Sequence, residues 1–193
     1  MTNPTDAETP TLTHFVIDAG ASRFTVQAFA AGLLSVAGHN PTIGIQDFRG
    51  EVDFSPDTLE SRAFRLTILA SSLKVLNDIS DKDQREMERL MNEQVLESTK
   101  YPGIIYDAPS VKVTSLGGAL YSAVMNGTLN LHGVTRTLPI TARIALFGDM
   151  LRASGDFILL QSDYQIKPVS VAGGALKLKD ELKFSFEFVA RKA

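Results

Sequence analysis

At 193 residues the chain has the length of one domain, and with hydrophobic residues at 44% and charged residues at 21% its composition is globular rather than disordered. A formal net charge of −3 lacks the positive surplus that nucleic-acid binding uses to displace counterions. With no cysteine, disulfides, thiol catalysis, Fe–S clusters and Cys-ligated zinc are excluded, and tryptophan is also absent.

The first dozen residues are polar, with Pro4 and Pro10, and carry neither the basic start nor the apolar run of an export signal. No stretch approaches the roughly 20 apolar residues of a spanning helix. The expectations are a flexible tail over 1–12, a folded domain over 13–193, a cytoplasmic location and no transmembrane segment. Phe15 and Ile17, then Phe24, Val26 and Ala28, fit two short strands around the turn-rich Asp18–Ser22. Gly32 to Pro41 is apolar but glycine-punctuated and reads either as a bulged strand end or as a loop over a barrel mouth.

Thr42 to Phe54 resumes strand character, and Ser55-Pro56-Asp57 supplies a turn. In Arg62–Ala70, Phe64, Leu66, Ile68 and Ala70 fall on every second position. The period then changes. Met87, Leu90, Met91, Val95 and Leu96 recur at helical gaps, which predicts an amphipathic helix over Ser80–Leu96 with Ser80 or Asp81 as its cap and Glu86, Glu88 and Arg89 on its wet face. Pro102 ends that segment, and Ile104–Val113 reads as one strand.

A hairpin turn at Ser115–Ala119 leads into a strand over Leu120–Leu131. Two more strands, 137–147 and 150–161, are joined by Gly148-Asp149. A final strand over Asp180–Ala190 follows a loose Lys167–Gly174 loop. Eight to ten strands, one helix and many tight turns make an all-β fold. Closing the sheet removes its exposed edges, which favours an extended antiparallel β-barrel over its rival, a two-sheet sandwich.

The apolar residues of these strands belong inside. Phe24, Val26, Phe64, Leu66, Ile68, Met125, Leu129, Ile140, Phe157, Phe184 and Phe186 either line a ligand tunnel or fill a solid core. His39, between Gly38 and Asn40, reads as a turn residue or as a contact for a head group or a metal. His132 reads as a hairpin residue, and His14 as solvent-facing. The three histidines lack metal-site spacing, so no metal is expected. Asp78, Asp81, Asp83, Glu86 and Glu88 cluster at the helix start, where carboxylates suit the amide dipole. Ser35, Ser71 and Ser72 lack a nucleophile motif. Arg136, Lys167 and Lys177 are candidates for a barrel rim, and Tyr106, Tyr121 and Tyr164 for buried rings with a polar tip.

Several segments in this order carry a resemblance: Phe15–Asp18, Ser22–Val26, Phe48–Phe54, the helix, Val95–Ile104 and Asn126–Arg136. The chain resembles the YceI-like family of polyisoprenoid-binding, lipocalin-like proteins over roughly residues 13 to 191, although Gly38-His39-Asn40-Pro41 departs from the commoner members. The resemblance implies an extended barrel of about eight main strands with one helix, holding a long isoprenoid or fatty lipid without catalysis or cofactor. It places the apolar set, with His39, around that ligand. Two other readings stay open: a small enzyme or metal protein using His39, and a solid-core interaction module. A homodimer through an exposed edge or the helix is also open.

Overall fold

The computed structural model describes residues 12–31, 40–171 and 176–193, and within these the chain is a meander of antiparallel strands wound into a closed barrel. In chain order the strands are β1 (Thr13–Ile17), β2 (Arg23–Ala31), β3 (Thr42–Ile45), β4 (Phe48–Phe54), β5 (Phe64–Leu69) and β6 (Leu73–Val75). Helix α1 (Asp81–Leu90) comes next. Then follow β7 (Gly103–Ala108), β8 (Val111–Gly117), β9 (Leu120–Leu131), β10 (Val134–Phe147), β11 (Met150–Leu160), β12 (Ser170–Val171) and β13 (Leu176–Lys192).

The first eight strands are four barrel staves, each broken once. β1 and β2 lie end to end along β13, with Ile17 opposite Ala190 and Arg23 opposite Glu187. β4 and β3 pair with that stave, β5 and β6 pair with them in turn, and β7 and β8 pair with β9. Contact of β1 with β13 closes a ring of eight staves. The ladder between β10 and β11 is short, pairing Arg143–Phe147 with Met150–Ser154.

At every break the inward parity switches. Phe15 points in on β1 and Phe24, Val26 and Ala28 on β2. The same happens from Ile43 and Ile45 to Phe48 and Phe54, and from Leu66, Ile68 and Ala70 to Leu73 and Val75. Ile104, Tyr106 and Ala108 of β7 give way to the half-buried Val111 and Val113 of β8. An inserted residue flips a strand's faces and bends it, which lets a long stave follow a curved wall. Thr42–Phe54 and Ile104–Val113, expected as single strands, are therefore two each, interrupted at Gln46-Asp47 and at Pro109-Ser110. Proline has no N–H to offer a ladder, so Pro109 suits such a break. The last strand is longer than expected, running from Leu176 to Lys192.

Helix α1 begins as its sequence directs: the Ser80 hydroxyl accepts from the Asp83 amide at 3.2 Å. Regular turns end at Leu90, earlier than expected, and the backbone widens over Met91–Val95, where the Leu96 amide reaches back to the Met91 carbonyl at 2.8 Å. That wider turn keeps Met87, Met91, Val95 and Leu96 packed on the barrel core.

Glu88 corrects the expectation of a wet helix face, because its side chain is only 13% exposed. It accepts from the Val75 amide at 3.1 Å, and Gln84 Nε2 donates to the Val75 carbonyl at 3.1 Å. Lys74 Nζ donates to the other Glu88 oxygen at 2.8 Å. Two helix side chains thus satisfy the open edge of β6 in place of a neighbouring strand. Burial disfavours the Glu88 carboxylate, but Lys74, the Val75 amide and Gln84 outweigh it and hold its pKa below the usual 4.5.

A depressed carboxyl pKa adds stability above the unfolded value, and that stability is lost as pH falls through the folded one. Glu88→Gln keeps an acceptor for Val75 but loses the charge. The variant is expected to be about 1 kcal/mol less stable than the parent at pH 7, with the difference vanishing in acid below pH 4.5. Denaturant titrations of both proteins across that range check it.

Candidate functional site

Inside the staves lies an elongated cavity of about 270 Å³. Its lining runs along β13 from Leu178 to Ala190, which at about 3.3 Å per residue and a tilt near 40° is roughly 30 Å of barrel. Helix residues Met87, Leu90 and Met91 line one part of it, with Val95 and Leu96. Among the described lining residues none is charged, and only Ser61, Tyr106 and Gln161 carry a polar oxygen or nitrogen on the side chain.

The alternation in the strands dictates this. On β11, Leu151, Ala153, Phe157 and Leu159 face inward while Arg152, Ser154, Asp156 and Ile158 face out. All eleven apolar candidates border the cavity: Phe24, Val26, Phe64, Leu66, Ile68, Met125, Leu129, Ile140, Phe157, Phe184 and Phe186. Part of the interior is filled, since Phe24 packs edge-on against Phe48 and Phe188, and Phe186 stacks on Phe188 at 4.9 Å. Elsewhere Phe157 and Phe184 stack at 4.7 Å and 8° to form a flat aromatic wall. A second cluster of Phe15, Phe54, Tyr121, Leu151 and Ala190 packs around the meeting of β1, β4, β9, β11 and β13. Core packing and a hollow lumen therefore coexist in one barrel.

Tyr106 is 3% exposed and lies across β9 at Gly127, its hydroxyl 2.9 Å from the Leu138 carbonyl and 3.1 Å from that of Met125. Burial pushes its phenol up to about 12, so it stays a neutral donor tying β7 to β10 across β9. Tyr121 and Tyr164 are also buried.

His39 lies outside the described residues. His14 is exposed, with Nδ1 2.7 Å from Asp53 Oδ1. His132 takes φ 53° and Gly133 φ 75°, which places both in the tight β9–β10 turn, and His132 Nε2 lies 2.7 Å from Glu97 Oε2. Tyr101 packs on the His132 ring at 4.6 Å, and a Cβ on Gly133 would stand 2.7 Å from it. The hairpin is thereby locked to the segment that follows the helix. Arg136 Nε donates to the Asp163 carbonyl at 3.1 Å, while Lys167 and Lys177 are exposed. Among the described residues no three His, Asp or Glu side chains converge as metal ligands.

Gln161 is the lumen residue that sequence reasoning overlooked. Its signal was parity: it continues the inward series Phe157, Leu159 two residues further on, as a polar side chain at an inward position.

Comparisons with known proteins agree on the fold. The barrel is similar to BcnA of Burkholderia cenocepacia, with a TM-score of 0.66 and 16% identity over 90% of this chain and 98% of that one. It is similar to a polyisoprenoid-binding domain from Saccharophagus degradans, with a TM-score of 0.65 and 15% identity over 95% and 100% of the two chains. A Campylobacter jejuni YceI protein aligns with a TM-score of 0.57 and 18% identity over 78% and 84%. No curated protein matches the sequence. The profile of the YceI-like domain matches residues 15–190, nearly every stave of the barrel, and the chain belongs to the YceI-like family.

Proposed function

We propose that this protein binds a long-chain apolar lipid, a polyisoprenoid or a related chain, in the barrel lumen and carries or stores it without chemical change. The observation that carries this reading is an elongated lumen with no charged side chain among its described lining residues. Such a surface offers desolvation and little else. At about 0.8 kcal/mol per buried CH₂, each five-carbon isoprene unit, two of whose carbons are unsaturated and contribute less, gives roughly 3 kcal/mol of transfer free energy. Lost motion of chain and protein offsets much of that sum. What remains favours a long flexible chain over a compact polar molecule. The polyisoprenoid-binding domain from Saccharophagus degradans shares the fold and supports the same ligand class.

Mass spectrometry of freshly purified protein, first native and then denatured, tests the proposal. The expected result is one long-chain species per barrel in the native spectrum, released intact on unfolding. Protein that is empty as purified and takes up neither prenyl nor acyl probes overturns it.

A further inference from the structure

Among the apolar side chains around the cavity stands one carboxamide, Gln161, which is 3% exposed. The turn that holds it is firmly fixed. The Ser162 amide and hydroxyl both donate to the Asp180 carboxylate, at 2.8 and 2.5 Å. Gln161 Nε2 donates to the Lys179 carbonyl at 2.9 Å and lies 3.4 Å from that of Asp180. Backbone carbonyls only accept, so the nitrogen must face them and the oxygen must face away. Among the described residues no donor pairs with Gln161 Oε1. An acceptor in apolar surroundings is costly unless something donates to it.

The other polar groups of the lumen are engaged. The Tyr106 hydroxyl reaches backbone carbonyls, and Ser61 Oγ donates to the Arg62 carbonyl at 3.2 Å. Gln161 thus turns its oxygen away from the Lys179 and Asp180 carbonyls while bordering an otherwise greasy cavity.

We propose that Gln161 Oε1 is the polar anchor of the lumen, and that the chain bound there ends in a neutral hydrogen-bond donor, the hydroxyl of a long-chain alcohol. This rests on the reading of the lumen as a lipid site and narrows it. A phosphate or carboxylate end would set acceptor against acceptor, with no lumen cation among the described residues to neutralise it. An ether end would leave the Gln161 oxygen unpaired.

The test is displacement of a fluorescent apolar probe by farnesol and by farnesyl methyl ether, chains of one kind that differ in the donor. One hydrogen bond predicts an alcohol preference of about tenfold in the parent protein. In Gln161→Leu the ratio of alcohol to ether affinity is expected to fall to about one. Equal displacement by both compounds in the parent overturns the anchor and leaves the lumen reading standing. A tenfold preference that persists in Gln161→Leu overturns it too. Failure of both compounds to displace the probe, or of the probe to bind, removes the lumen reading itself. Because the parent protein alone can fail the test, an unstable variant does not rescue the proposal.

Discussion

Adding bulk to two facing walls, with Val26→Phe and Met125→Phe in one protein, is expected to abolish uptake of apolar chains while leaving the barrel folded. Val26 lies on β2 and Met125 on β9, four staves apart in a ring of eight, and both border the cavity. Overpacking a filled core costs about 1–3 kcal/mol because neighbours must shift. Here the added rings have empty volume to enter, so the melting temperature should move by only a few degrees. Each isoprene unit denied its place forfeits roughly 3 kcal/mol, or about a hundredfold in affinity. Titration with a prenyl probe, alongside thermal unfolding, separates the outcomes. Unchanged affinity in a folded variant would move the binding site out of the lumen.

The second large effect concerns the wall itself. Gly127→Ala should destabilise the protein by about 3 kcal/mol, a large share of a typical domain's stability. A Cβ at this position would sit 2.5 Å from Tyr106 Cζ and 2.8 Å from the Asp107 backbone oxygen. The ring cannot retreat without losing its hydroxyl contacts to Leu138 and Met125, and the Asp107 carbonyl belongs to the ladder between β7 and β9. One of the two must yield. By contrast Tyr106→Phe, which deletes only the hydroxyl, should cost about 1 kcal/mol. Denaturant unfolding of the two variants checks the order; a Gly127→Ala cost below that of Tyr106→Phe would mean that β9 gives way freely.

Much of this was legible in the chain. The period of two placed Met125, Leu129, Ile140, Phe157, Phe184 and Phe186 on the inward face, because side chains on a strand alternate whatever the strand packs against. The helix start at Ser80 and the turns at Gly133 and Gly148 rest on equally local rules. Gln161 was within reach of the same rule, had inward parity been followed past the end of the apolar run.

Other features were out of reach for definite reasons. The turn-rich Asp18–Ser22 marks the break between β1 and β2 in the sequence, but the breaks at Gln46-Asp47 and between β5 and β6 do not disturb composition. Ile43–Ile45 and Phe48–Phe54 each alternate well, and only the curvature of a closed wall requires the slip between them. Glu88 belongs to a charged stretch of helix that reads as solvent-facing, and what turns it inward is the unpaired edge of β6, a strand closed by partners from distant parts of the chain.

Local chemistry, then, settled which residues alternate, where the helix starts and which face of each strand is apolar, because these follow from backbone geometry over a few bonds. Closure of eight staves, the residual hollow between filled aromatic clusters, and the meeting of Gln161 with the Lys179 and Asp180 carbonyls came only with the tertiary structure. A cavity is a shortfall in packing among side chains that are distant in sequence, and no short stretch of the chain records how well remote neighbours fill the space between them.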